Sequence, residues 1–203
     1  MRNEKGFTLV ELLAVMVILG IIMSVAIPNV TGILYKNRAT TYVEDAKKLA
    51  TTAEYKLRGS STGIVKPGEN QCVVMNLAYL DNSEFEDPPN GGEYLKNQSY
   101  VVIKRVNNEY EYYFQLIERI SADTEPRGIP LVKVTALYAD GATDKVENVE
   151  NSSLFNLSDY NYAYGNDQAT LEANERKGVT LSSRIDHSVV DCSAGITHVY
   201  AIE

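Results

Sequence analysis

"KGFTLVELLAVMVILG", Lys5 to Gly20, carries one carboxylate, Glu11, in a stretch that after Lys5 is otherwise uncharged. The uncharged run continues to Ile27, so Glu11 is the only ionisable side chain between Phe7 and Ile27. At about 1.5 Å rise per residue, a helix of this length covers the roughly 30 Å hydrocarbon core of a bilayer. The segment is therefore expected to span a membrane. Ahead of it stand Arg2 and Lys5 against a single acid, Glu4, a bias that keeps Met1 cytoplasmic and sends the bulk of the chain outward. A cleaved secretory signal, with Ser24-Val25-Ala26 as its small-residue site, and a plain membrane anchor both fit this layout. Neither supplies a partner for Glu11, and an acid in lipid is costly enough to need one.

The helical pattern outlasts the membrane. Apolar residues recur at Val30, Ile33, Leu34, Ala39, Tyr42, Val43, Ala46, Leu49, Ala50, Ala53 and Leu57 in steps of three and four, while Lys36, Arg38, Glu44, Asp45, Lys47, Lys48, Glu54 and Lys56 fill the other face. Gly59-Ser60-Ser61 ends the helix, with Lys56 and Arg58 suitably placed in its last turn. If wholly helical, Phe7 to Arg58 is about 78 Å long, so only half of it fits in lipid. Gly20 and Pro28 are expected break points, since glycine weakens a helix and proline removes a backbone donor, with Gly32 a further soft point.

Gly6-Phe7-Thr8-Leu9-Val10-Glu11-Leu12-Leu13, with the basic head before it and the long amphipathic helix after it, resembles the class III signal of type IV pilins and their pseudopilin relatives. The resemblance implies cleavage by a prepilin peptidase between Gly6 and Phe7 and methylation of the new Phe7 amino group. It implies that Glu11 pairs with the Phe7 ammonium of a neighbouring subunit, and that Pro28 matches the proline that often kinks the first helix. Removing Met1 to Gly6 takes away two bases and one acid, which leaves the side chains at a net −9. The expected divisions are a leader at 1–6, a transmembrane and filament-core helix at 7–28, an amphipathic half at 29–58 and a globular head at 59–203. Further implied are a helical homopolymer with itself and other pilins, an assembly ATPase and a platform protein. The chain would be a single-pass membrane protein before assembly and a cell-surface pilus subunit after it, serving adhesion, twitching motility or DNA uptake. A pseudopilin of a type II secretion or competence system shares the same N-terminus and is the alternative reading. The fainter likeness of Val73–Leu80, Asp87-Pro88-Pro89 and Asn90-Gly91-Gly92 to the post-helix segment and loop of some Gram-positive pilins and competence pseudopilins extends the resemblance past the helix.

Beyond Gly59 the period changes to two. Tyr100–Val106 and Glu109–Ile117 flank Asn107-Asn108, a pair that tolerates the positive φ of a two-residue turn. Tyr110, Tyr112, Phe114 and Leu116 then share one strand face. Pro130–Tyr138 is expected as a third strand, and Gly195–Ile202 alternates again. The fold expected is α+β, an antiparallel sheet laid against the outer half of the long helix. Residues 139–178, rich in Asp, Asn, Ser, Tyr and Gly, read as a variable surface excursion.

The net charge of −8, without a clustered basic stretch, argues against a nucleic-acid groove. Cys72 and Cys192, 120 positions apart, have no close-spaced metal pattern, so one long-range disulfide worth about 4 to 5 kcal/mol is the plain expectation in an exported chain, and free thiols in an intracellular one. A thiol nucleophile at Cys192 with His187, Asp186 and Asp191 is the enzymatic alternative, and zinc held by Cys72, Cys192, His187 and His198 the metal-binding one. Both rank below the disulfide, and no cofactor, metal or enzyme activity is expected. Asp140-Gly141-Ala142-Thr143-Asp144 lacks the ligand rhythm of an EF-hand and reads as a polar turn. Asn-x-Ser sequences begin at Asn97, Asn151 and Asn156, and fourteen tyrosines without tryptophan suit subunit contacts or the cover of a sheet.

Overall fold

The computed structural model describes residues 8–59, 64–80, 85, 87–160 and 181–201. Its elements are a long helix α1 (Leu9–Arg58), β1 (Cys72–Asn76), a single turn α2 (Leu77–Leu80), β2 (Glu93–Tyr94), β3 (Tyr100–Val106), β4 (Glu109–Arg119), β5 (Arg127–Lys133), β6 (Glu147–Asn148), a second single turn α3 (Leu181–Arg184) and β7 (Ile196–Tyr200). Short 3-10 turns occupy Val134–Tyr138, Ala142–Lys145, Asn151–Ser153 and Leu157–Tyr160. The fold is mixed α+β. The chain divides into two compact units, Met1–Arg38 and Ala39–Glu203.

In the first unit the described helical side chains are exposed, Leu9 at 79% and Met16 at 68% among them. Val30, Ile33 and Leu34, read from the sequence as part of the amphipathic face, are exposed as well. The buried face of α1 begins only at Ala39, with Tyr42, Val43, Ala46, Leu49, Ala50, Ala53 and Leu57 following at helical spacing.

The second unit is built on a seven-stranded sheet in the order β6-β5-β4-β3-β1-β7, with β2 paired to β4. Every pair is antiparallel except β1 with β7, which are parallel. The β3–β4 hairpin turns through Asn107 and Asn108 at φ 51° and 66°, and Val106 faces Glu109 across it. Such a turn matches strand twist only when both central residues are left-handed, a conformation Asn tolerates. Glu69 fastens the tip by accepting hydrogen bonds from the Asn107 and Asn108 amides.

The third strand lies earlier than its sequence implies. β5 covers Arg127–Lys133, and Val134–Tyr138 forms a 3-10 turn instead. The register with β4 shifts between Phe114↔Val132 and Leu116↔Ile129, so Pro130 falls in a bulge, where its missing amide is tolerated. Gly128 lies so close to β4 that a Cβ there would come within 2.0 Å of the Leu116 carbonyl.

Both faces of the sheet are covered. On one, α1 packs over Val73, Met75, Val101, Ile103, Phe114, Leu116 and Ile129. On the other, Cys72, Val74, Tyr100, Val102, Tyr113 and Leu131 meet Phe155, Leu157, Leu181, Ile185, Val190 and Cys192. The described half of the supposed excursion, 139–160, therefore contributes Val146, Val149, Leu154, Phe155 and Leu157 to buried clusters. Residues 161–178 lie outside the described residues. The far core explains why β1 is buried at all five positions: a strand enclosed on both sides has no polar face.

Two acids are buried with it. Asp45, assigned by sequence to the polar helix face, is 3% exposed and accepts a 2.7 Å hydrogen bond from the Tyr94 hydroxyl. Glu118 is fully buried and accepts from the Asn90 amide. Burial, together with Asp45, raises the Tyr94 phenol well above its ordinary pKa.

Candidate functional site: the N-terminal helix and its cap

α1 begins with a reciprocal cap. The Thr8 amide and hydroxyl both donate to Glu11 Oε2, at 2.9 and 2.8 Å, while the Glu11 amide donates to Thr8 Oγ1 at 3.3 Å. The Leu12 amide donates to the Thr8 carbonyl at 3.2 Å, which closes the first turn. Thr8-Leu9-Val10-Glu11 is thus the T-x-x-E capping box, in which two otherwise orphaned donors are satisfied within one turn and the carboxylate sits against the positive end of the helix dipole. The pattern was legible in the sequence and was missed there because the acid was weighed only against lipid. Gly6 and Phe7, the expected cleavage and methylation positions, lie outside the described residues.

From this cap the helix is continuous to Arg58, through both Gly20 and Pro28, so neither expected break point ends it. A Cβ on Gly20 would meet nothing within 4 Å. A helix survives one glycine and one proline when the turns on either side continue, at the cost of a single hydrogen bond and some rigidity. Ser24 Oγ donates to the Ile21 carbonyl at 2.8 Å, the way a hydroxyl is satisfied in an apolar stretch. The exposed portion of the helix is long and apolar enough to cross a membrane, and none of its most apolar stretch is buried. Exposure of this much apolar surface is stable only in lipid or against partner chains.

The other candidates separate clearly. Cys72 and Cys192 are bonded at 2.08 Å, with Cα atoms 5.7 Å apart, so neither sulfur is a thiolate free to attack or to bind zinc. His187 Nδ1 stands 3.7 Å from Asp191 on the surface. Asp186 and Asp191 instead accept bonds from Ser188 and Ser193, which hold both carboxyls below their ordinary pKa. His198 stacks on Tyr200 at 5.9 Å, and burial pushes its pKa down. Among the described residues no group of three or more His, Cys, Asp or Glu is arranged to hold a metal. Asp144 and Gly141 form a local turn, the Asp144 amide donating to the Gly141 carbonyl at 2.9 Å.

Comparison with known proteins agrees with this geometry. The prokaryotic N-terminal methylation motif matches residues 1–27. A fimbrial protein of Pseudomonas aeruginosa is 39% identical over 54 residues, covering 27% of this chain and 35% of the relative. A type IV major fimbrial protein, FimA, of Dichelobacter nodosus is 26% identical over 115 residues, 55% of this chain and 72% of the relative. A ComG operon protein 3 homolog of Bacillus licheniformis is 59% identical over 29 residues, 14% of this chain and 30% of the relative. The match to the Pseudomonas protein thus spans about a third of that relative's length. No solved structure matches. The motif and the fimbrial relatives support a type IV pilin family, and with the exposed apolar helix they fit a precursor anchored in a membrane.

Proposed function

We propose that the chain is a type IV pilin, a structural rather than catalytic subunit that is inserted in the membrane, cut between Gly6 and Phe7, methylated on Phe7 and stacked through α1 into a surface filament. The observation that carries this reading is the exposed apolar helix that begins at the Thr8–Glu11 cap inside the methylation motif. The fimbrial relatives support self-assembly. A prepilin peptidase, an assembly ATPase and a membrane platform protein are the partners such a route requires, and adhesion, twitching motility or DNA uptake are the uses of the filament.

Glu11 serves this assembly through charge. Cutting after Gly6 creates an ammonium at Phe7, and pairing it with the Glu11 carboxylate of a neighbour neutralises both in an apolar filament core. The same pairing fixes the stagger between subunits. N-terminal sequencing of the processed protein tests the scheme: a start at N-methylated Phe7 supports it, whereas an intact Met1 or a start at Ile27 rejects it.

The second reading, a pseudopilin of a type II secretion or competence system, is favoured by the likeness to the ComG operon protein 3 homolog. Imaging sheared surface filaments with and without this chain separates the two. Loss of all filaments identifies a major pilin, and survival of normal filaments a minor subunit or pseudopilin.

A further inference from the structure

The second unit carries an open cleft of about 570 Å³ beside β2. That volume is ample for a small molecule. One wall is the segment from β2 to β3, and its backbone is fastened from several sides. The Leu95 amide donates to the Ile117 carbonyl at 2.8 Å, and the Ser99 amide to the Leu95 carbonyl at 2.8 Å. The Lys96 carbonyl accepts from the Ala78 amide at 3.3 Å and the Asn97 carbonyl from the Leu157 amide at 2.8 Å. A wall held this way is already ordered when a ligand arrives, which removes part of the cost of binding. The opposite contribution comes from far along the chain: Asn156, between β6 and α3, lines the same cleft and accepts a 3.2 Å hydrogen bond from the Gln98 side-chain amide, 58 positions earlier.

The side chains narrow the ligand. Asn97 Oδ1 accepts from the Asn76 amide at 2.8 Å and Asn156 Oδ1 from Gln98, so the group that each has left to offer is its NH2, a donor. Asp87 and Glu93, both exposed on the cleft, supply acceptors only, and among the described residues neither forms an ion pair. Fixed donors and fixed acceptors in one cleft suit a group that is both at once, and that group is the hydroxyl. Phe85 and Leu95, which also line the cleft, give apolar surface for the C–H face of a sugar ring. Two acids against the single base Lys96 disfavour an anionic sugar. We infer that this cleft is a binding site for an uncharged saccharide, with Asn97 and Asn156 donating to its hydroxyl oxygens and Asp87 and Glu93 accepting from its hydroxyl groups. The site needs only the second unit, so it goes beyond the filament reading and does not depend on it.

The test is a titration of the full chain, solubilised in a detergent that carries no sugar, with maltose, cellobiose and N,N'-diacetylchitobiose, followed by NMR. At least one of them should bind with a dissociation constant below about 1 mM and shift the side-chain amide signals of Asn97 and Asn156. Asn156→Ala and Glu93→Ala, at exposed positions where the fold does not depend on the side chain, remove one donor and one acceptor, and each should weaken that binding by about fivefold or more. Tyr138→Ala, exposed and outside the cleft, should leave it unchanged. No binding of any of the three by wild type at about 10 mM overturns the site, as does binding that neither cleft variant weakens. Digalacturonate binding more tightly than all three overturns the uncharged class. N-acetyl-trialanine amide that binds where the sugars do not would assign the cleft to peptides and overturn the saccharide reading. None of these outcomes bears on processing at Gly6 or on filament formation, so the pilin reading stands or falls separately.

Discussion

Breaking the Cys72–Cys192 bond should cost most of the stability of the second unit. The bond closes a loop of 120 residues. In the chain-entropy treatment such a loop restricts the unfolded chain by about 5 kcal/mol at 25 °C, comparable with the whole stability of a small domain. The structure adds a reason for the loss to begin at the C-terminal end. Among the described residues β7 pairs in the sheet with β1 alone, and Cys192 lies just before β7 while Cys72 opens β1. The Cys72→Ala, Cys192→Ala pair, which removes the bond without leaving a buried hydroxyl, is therefore expected to lose about 4 to 5 kcal/mol, a fall of roughly 2 M in the urea midpoint of the detergent-solubilised chain. Hydrogen exchange should speed up first over 185–201. Both sulfurs are fully buried, so a mild reductant should leave the native protein oxidised and act only once denaturant opens it. A midpoint that moves by less than about 0.5 M, the equivalent of roughly 1 kcal/mol, refutes the argument that this bond holds the far core closed.

Phe114→Ala, at a fully buried position against α1, should cost about 3 to 5 kcal/mol in the same assay. Asn107→Val should cost about 1 to 2 kcal/mol, because a β-branched residue resists the left-handed φ of 51° there, and NMR shifts of the β3–β4 tip would locate the damage. The Lys133 ammonium and the Tyr113 hydroxyl hold the Glu111 carboxyl below its ordinary 4.5, so its contribution is present above that value and is lost as pH falls through the folded one. A carbon-detected titration of Glu111 in wild type and Lys133→Met should show the midpoint rising in the variant. Burial and the Glu111 carboxylate push Tyr113 the other way, up to about 12, and Glu111→Gln should bring that phenol down in an ultraviolet titration.

Legibility followed the range of the interactions. α1 and the β3–β4 hairpin depend on neighbours within a few residues, and their spacing and the Asn107-Asn108 pair announce them. The far core depends on apolar residues that arrive one or two at a time, Leu154-Phe155, Leu157, Ile185 and Val190, between polar ones. No local period records them. The signal that existed was in the strands: Cys72-Val73-Val74-Met75 and Tyr100-Val101-Val102-Ile103 are uninterrupted apolar runs, as expected of strands covered on both faces. The parallel β1–β7 pair is equally silent locally, because its partners are separated by most of the head. Asp45 was misplaced because an acid on a helix is assigned to water unless its partner is known, and Tyr94 lies 49 positions away.

Glu11 shows how two requirements share one residue. Both Thr8 donors converge on Oε2, and Oε1 accepts no bond from another described residue. The cap therefore leaves one carboxylate oxygen for an amine, and the proposed pairing with Phe7 does not require the first turn to open. The two uses differ in what they demand of the side chain. A capping box accepts glutamine in place of glutamate, whereas neutralising an ammonium requires the charge. Glu11→Gln should accordingly keep the helix start and normal cleavage at Gly6 while losing filament mass, and Glu11→Ala should lose the cap as well, seen as faster amide exchange over the first turn. Glutamine that assembles at the wild-type rate and stagger would show that the carboxylate is there for the helix alone, and the ion pair would have to be abandoned.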